Sequence, residues 1–143
     1  MAATLTFYNS FKETIADGTI DLDTHTFKVM LTTSSYTPSA AHTTTTDITN
    51  EVSSTNTGYT TGGAALTSVT WGQTGGTATF DADNVVWTAG SANLTARYAV
   101  VYDDTATNND LVCYITLDSS DVTATNGNTF TIAWNASGIF TLA

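Results

Sequence analysis

The feature that most constrains this chain is a hydrophobic alternation of period two that recurs along it. In Thr26–Thr32, Phe27, Val29 and Leu31 fall on one side and Thr26, Lys28, Met30 and Thr32 on the other. Successive side chains of a strand leave opposite faces, so this pattern describes a strand with one face in a core. Leu94–Tyr102 repeats it, with Ala96, Tyr98, Val100 and Tyr102 set against Arg97, Ala99 and Val101. Thr129–Trp134 does so through Phe130, Ile132 and Trp134. Further strands are expected at Ala64–Trp71, Thr77–Asp81, Val85–Trp87, Leu111–Leu117 and Ile139–Leu142, giving about eight, with turn signals such as Gly75-Gly76 and Asp81–Asn84 between them.

The residue types agree with the pattern. Threonine makes up close to a quarter of the chain, and Pro38 is the only proline. Threonine is β-branched, fits strands and is a poor helix former. Short strands at this spacing predict an all-β fold, an antiparallel two-sheet β-sandwich of jelly-roll type, as one domain over residues 1–143.

Two stretches depart from the alternation. In Leu5–Ala16, the residues Leu5, Tyr8, Phe11 and Ile15 fall at helical spacing before an Asp17-Gly18 stop, which predicts one short N-terminal helix over about 5–16. The segment Ser34–Gly63, SSYTPSAAHTTTTDITNEVSSTNTGYTTGG, is polar and poor in hydrophobic anchors. A loop this long in a small domain is unusual and often functional. Its anchor-like residues, Tyr36, Pro38, His42, Asp47, Glu51 and Tyr59, are the candidate partner-binding set. As a free excursion it would be removable without unfolding the sheets.

Charge excludes some functions. Three basic residues, Lys12, Lys28 and Arg97, stand against 13 acids, for a formal net charge of −10. A nucleic-acid binder needs cations to displace phosphate counterions, and this chain has almost none. An anionic membrane surface is disfavoured for the same reason. No apolar run nears the ~20 residues of a membrane span, and MAATLTFYNSF does not read as a signal peptide.

The best arrangement for chemistry is Asp21-x-Asp23-x-His25, which on a strand would put two carboxylates and an imidazole on one face. Alternate side chains of one strand lie roughly 7 Å apart, wide for three ligands of one ion. His42 is the only other histidine, and the spacing does not match a calcium loop. The simpler reading is a polar lead-in to the Thr26–Thr32 strand. Asp81, Asp83, Asp103, Asp104, Asp110, Asp118 and Asp121 sit at strand ends or in turns, where aspartate serves local hydrogen bonding, and nothing marks one of them as buried. Cys113, the single cysteine, alternates with Leu111, Ile115 and Leu117 and reads as a small core residue. There is no G-x-S-x-G, phosphate-binding loop or dinucleotide fingerprint. The sequons at Asn93 and Asn135 are expected by chance in a chain so rich in Asn and Thr. No catalytic residue, metal or cofactor is expected.

Five segments together resemble another group of proteins: TFYNSFKETIADGTIDLDTHTFKVMLTTSSYTP, TDITNEV, GYTTGGAAL, ARYAVVYDD and TIAWNASGIFTL, in that order over most of the chain. In combination they are similar to small virion proteins of tailed bacteriophages, β-sandwich proteins of the capsid decoration, or cement, type. The resemblance implies a structural protein on the capsid exterior, made in the bacterial host cytoplasm and binding major capsid protein subunits. A homo-oligomer, with a trimer as the expected form, goes with that reading. The alternatives are a tail or fibre-associated structural protein, a carbohydrate-binding module using Trp71, Trp87 or Trp134, and a metal-dependent enzyme built on Asp21, Asp23 and His25.

Overall fold

The computed structural model describes residues 3–143. Its elements run β1 (Thr4–Phe7), α1 (Phe11–Asp17), β2 (Phe27–Thr32), a 3₁₀ turn (Thr45–Asp47), β3 (Ala64–Ala65), β4 (Thr70–Thr74), β5 (Thr77–Asp81), β6 (Val85–Thr88), β7 (Leu94–Ala96), β8 (Tyr98–Asp103), β9 (Leu111–Thr116), β10 (Val122–Ala124), β11 (Thr129–Ile132) and β12 (Phe140–Leu142). The chain is mostly β, and every strand pairing is antiparallel. A five-stranded sheet has the order β1-β9-β8-β2-β3, and a three-stranded sheet the order β12-β5-β4; β7 pairs with β10 and β6 with β11. Among the described residues, no helix is long and apolar enough to cross a membrane.

The N-terminal expectation needs correction. The helix spans Phe11–Asp17, and Thr4–Phe7 is a strand paired with β9 from Thr4↔Thr116 to Phe7↔Cys113. TLTF alternates as well as it fits a helical spacing. The open edge of β9 supplies ladder partners for these residues, which a lone helical turn cannot match. The chain then turns: the Tyr8 N–H donates to the Val112 carbonyl and the Asn9 N–H to the Ala40 carbonyl. Gly18 ends the helix in the left-handed region at φ 83°, where a glycine is favoured.

The long alternation at Leu94–Tyr102 is one stretch of sequence but two strands. It breaks at Arg97, whose N–H donates to the Thr32 carbonyl while its own carbonyl accepts from the Leu117 N–H. Before the break β7 pairs with β10, and after it β8 enters the five-stranded sheet. Likewise Ala64–Trp71 divides into β3 and β4, and β10 forms within the polar stretch after Leu117. β8 and β9 shift register between Val101 and Tyr102, so that Val101 opposes Cys113 while Tyr102 opposes Leu111.

The main core lies on the face of the five-stranded sheet that carries Phe27, Val29, Leu31, Ala99 and Val101. It meets the three-stranded sheet through aromatic rings: Phe27 lies 5.1 Å edge-on to Phe80, and Phe7 5.0 Å edge-on to Phe140. Trp87 and Phe130 extend it toward β6 and β11. Such edge-to-face pairs add to plain burial, and they tie sheets that share no ladder.

The opposite face of the five-stranded sheet was expected to be solvated, and it is not. Tyr8, Met30, Tyr36, Val100, Tyr102 and Leu111 form a second buried cluster there, with Ile48 packed against it. Tyr36 and Ile48 belong to the Ser34–Gly63 excursion, which folds back over that face. Val52 and Tyr59, from the same excursion, reach the main core. The excursion is therefore part of the fold. Cutting it out would uncover Met30, Val100 and Leu111 and remove side chains from both cores, contrary to the expectation that it could be removed without unfolding the sheets.

Candidate functional site

The six candidate residues of the excursion can now be placed. Tyr36 follows a turn closed by its N–H on the Thr33 carbonyl, and its ring is only 2% exposed, edge-on to Tyr98 at 5.9 Å. Its hydroxyl lies 3.3 Å from the Tyr8 hydroxyl and 2.9 Å from His42 Nδ1. Burial holds the Tyr8 and Tyr36 phenols above their ordinary pKa, so both stay protonated. Pro38 and His42 are half-buried.

Asp47 works locally. Its Oδ2 accepts from the Thr43 N–H at 2.8 Å, the Thr43 hydroxyl at 3.1 Å and the Thr44 N–H at 3.3 Å. Those backbone donors hold the carboxyl below its usual range. They also build the 3₁₀ turn, whose start is stitched to the sheet by the Thr44↔Asp110 bridge.

Glu51 and Tyr59 form the second anchor. Glu51 bridges to Thr32, and its Oε1 accepts from the Tyr59 hydroxyl at 2.7 Å and the Gly62 N–H at 2.6 Å. The Tyr59 hydroxyl in turn accepts from the Leu31 N–H at 3.1 Å, and the Tyr59 side chain is 3% exposed. Burial first, then the bond to Glu51, pushes this phenol well above its ordinary pKa. Tyr102 donates to the Gly62 carbonyl at 2.7 Å, and burial followed by the charges of Asp104 and Glu51 pushes it up to about 12. Gly63 closes the turn at φ 85°, where a Cβ would lie 2.0 Å from the Val29 carbonyl oxygen. Only glycine admits that approach.

Of the candidate set, Tyr36 and Tyr59 are buried and point inward. Asp47 Oδ2 and Glu51 Oε1 hold the excursion down. Pro38 and His42 keep accessible surface, and the outward face is otherwise short and polar, with Ser35, Thr37, Thr46, Asn50 and Thr60 exposed.

Asp21, Asp23 and His25 lie in a turn before β2 instead of on a strand face. Asp21 accepts from the Asp23 N–H at 2.9 Å and the Thr24 hydroxyl at 2.7 Å, and the Thr24 hydroxyl leads in holding its carboxyl low. His25 Nδ1 faces the Asp21 N–H at 3.4 Å and lies 2.6 Å from Asp103 Oδ2. Asp103 is fully buried, and its Oδ1 accepts from the Thr105 and Ala106 N–H groups. Among the described residues, no group of three or more His, Cys, Asp or Glu side chains is placed to hold a metal.

Asp103 and Asp110 are the functional-looking residues that sequence reasoning missed. Both sit at strand ends, where aspartate is ordinary, yet both are buried and Asp110 Oδ2 has no partner. Burial first and the Asp103 charge second raise the Asp110 carboxyl above its usual range. No local signal marks them, because their burial comes from chain that folds over them from positions 25–26 and 43–45.

Elsewhere, Trp87 is buried in the core, so Trp71, Trp87 and Trp134 do not present a three-tryptophan row. An apolar cleft of about 510 Å³ opens between β1, β9 and β11, lined by residues including Leu5, Ile115, Leu117, Phe130, Ile132 and Trp134, with no charged side chain among the described residues that line it. Neither family models, curated proteins nor solved structures gave a match to this chain.

Proposed function

We propose that this chain is a bacteriophage virion protein that binds the outer surface of the capsid shell and stabilises it, acting as a decoration or cement protein. The proposal starts from the five sequence segments that resemble such proteins. The observation that carries it further is where two of those segments lie. TDITNEV contains Asp47 and Glu51, and GYTTGGAAL contains Tyr59, Gly62 and Gly63, the residues that pin the excursion to the sheet. The likeness thus falls on the pieces that turn a polar loop into a fixed surface. A protein that bridges coat subunits needs such a surface, because a pre-ordered contact loses less entropy on binding.

The finer architecture belongs to the same proposal. The five-stranded sheet would form one layer of a β-sandwich, and the three smaller sheets together the other, with the Phe27–Phe80 and Phe7–Phe140 contacts spanning them. Charge supports a basic partner surface on the coat. Lys28 pairs with Asp104 and Arg97 with Asp121, so most of the acid excess is uncompensated. Binding at several coat subunits at once, by a trimer or other symmetric oligomer, would multiply weak contacts by effective concentration. No catalytic step, metal or cofactor enters this reading.

The test is a count and an image. Quantitative mass spectrometry of purified phage particles, with a reconstruction of the shell, should find copies in proportion to the coat lattice, on the outside. Copies in the small number of a tail assembly would move the protein to the tail. Absence from the particle would overturn the proposal.

A further inference from the structure

Tyr8, Tyr36 and His42 form a hydrogen-bond chain with a direction. Tyr8 and Tyr36 are buried, at 0% and 2% exposure, and their hydroxyls meet at 3.3 Å. His42 Nδ1 lies 2.9 Å beyond, from the Tyr36 hydroxyl. Two hydroxyl protons need two acceptors. With Nδ1 bare, Tyr8 donates to Tyr36 and Tyr36 donates to His42, and every proton is placed. With Nδ1 protonated, His42 donates to Tyr36, and one of the two buried hydroxyl protons is left with nothing to accept it, the Tyr8 proton if Tyr36 turns to Tyr8 and the Tyr36 proton if Tyr36 accepts from both. An orphaned buried donor carries the full desolvation penalty of that group.

We infer that His42 is a pH-responsive latch: neutral and protonated on Nε2, it locks the 36–48 part of the excursion onto the sheet, and its protonation loosens that seat. The segment joins the body at the Thr45 N–H to the Asn109 carbonyl, the Leu111 N–H to the Thr43 carbonyl and the Asn9 N–H to the Ala40 carbonyl. Loosening it uncovers the apolar face around Met30, Val100 and Leu111.

The surrounding groups set the sign. Asp47, on the same segment, attracts a charged His42. It stands in solvent contact and already accepts three hydrogen bonds, so that attraction is screened and is weaker than the stranded buried donor. From other elements, Tyr8 and, through ring contacts, Tyr98 on β8 and Tyr114 on β9 pack around the chain. Asp110 is joined to Thr44 by backbone only.

The test uses the whole chain. Hydrogen exchange of the Thr45 and Leu111 amides, corrected for intrinsic rates, is compared about one pH unit above and below the ordinary histidine value of ~6.5. Protection should fall by about tenfold on the acid side. His42→Asn keeps an acceptor near Nδ1 but does not titrate, and should lose no protection on acidification. Tyr36→Phe cuts the chain and should be weakly protected at both pH values, without a difference between them. If wild-type protection holds or rises in acid, or if His42→Asn loses as much as wild type, the latch is refuted. Nitrogen NMR of the unmodified protein gives a check free of folding effects: an Nδ1–H tautomer at His42 would also overturn it.

Discussion

Tyr59→Phe isolates the claim that the excursion belongs to the fold. The substitution keeps the ring in its packed position, 6.0 Å from Trp87, and removes one oxygen. That oxygen accepts the Leu31 N–H and donates to Glu51. Leu31 is fully buried, so its N–H would be left without a partner, at about 1–3 kcal/mol. A hydrogen bond to a charged group is worth about 1.5–3 kcal/mol, but half-buried Glu51 keeps Gly62 and recovers water, which favours the low end. A net loss of about 2–4 kcal/mol follows, a large share of a typical stability of about 5–15 kcal/mol. For 143 residues this lowers the melting midpoint by about 6–15 °C. Urea unfolding followed by tryptophan fluorescence measures it, with the slope against denaturant unchanged if the same surface is buried. A midpoint within about 2 °C of wild type would show that Leu31 has another partner, and that the excursion does not seal the sheet.

Other outcomes follow from the same geometry. Asp110 has its folded pKa raised, chiefly by burial, so its favourable contribution is complete below the ordinary carboxylate value of ~3.9 and is lost as pH rises through the raised value. Asp110→Asn should therefore stabilise the protein at neutral pH and flatten that part of a pH–stability curve, by ~1.4 kcal/mol for each unit by which the pKa is displaced. A variant that is less stable at neutral pH would contradict the burial argument. Gly63→Ala should cost about 3 kcal/mol or more, because the new methyl meets the Val29 backbone at a positive φ, and chemical denaturation would measure it. Gly75→Ala, also at positive φ but in open space, should cost only about 1 kcal/mol. Cys113 is buried with its thiol pKa pushed up, so an aromatic disulfide reagent should label it only at the rate of unfolding. Rapid labelling of native protein would refute that placement.

What could be read from the sequence is what neighbours in the chain decide. Period-two alternation located β2, β5, β6, β9 and β11 closely, and Gly75-Gly76 the turn between β4 and β5. It also marked Phe27, Val29 and Leu31 as one core face. Asp21 accepts its hydrogen bonds from its own turn, at Asp23 and Thr24. Alternation does not say which sheet a strand joins, so the break at Arg97 was invisible: Ala96 and Tyr98 read as one face but serve different sheets.

Tertiary structure decided the rest. The Ser34–Gly63 excursion is polar nearly throughout, and its few anchors, Tyr36, Ile48, Val52 and Tyr59, have no period that local sequence could reveal. Tyr36, Val52 and Tyr59 are buried, and Ile48 partly so, because the five-stranded sheet offers Met30, Val100 and Leu111 on its far face, and because Glu51 and Gly63 meet backbone from β2. The same is true of Asp103 and Asp110, ordinary turn residues in sequence that become buried carboxyl groups only when distant chain closes over them. Strand periodicity is a property of successive residues, and the sequence determined it alone. Burial of a loop or a carboxylate depends on surfaces brought from far along the chain, and only the folded arrangement could supply them.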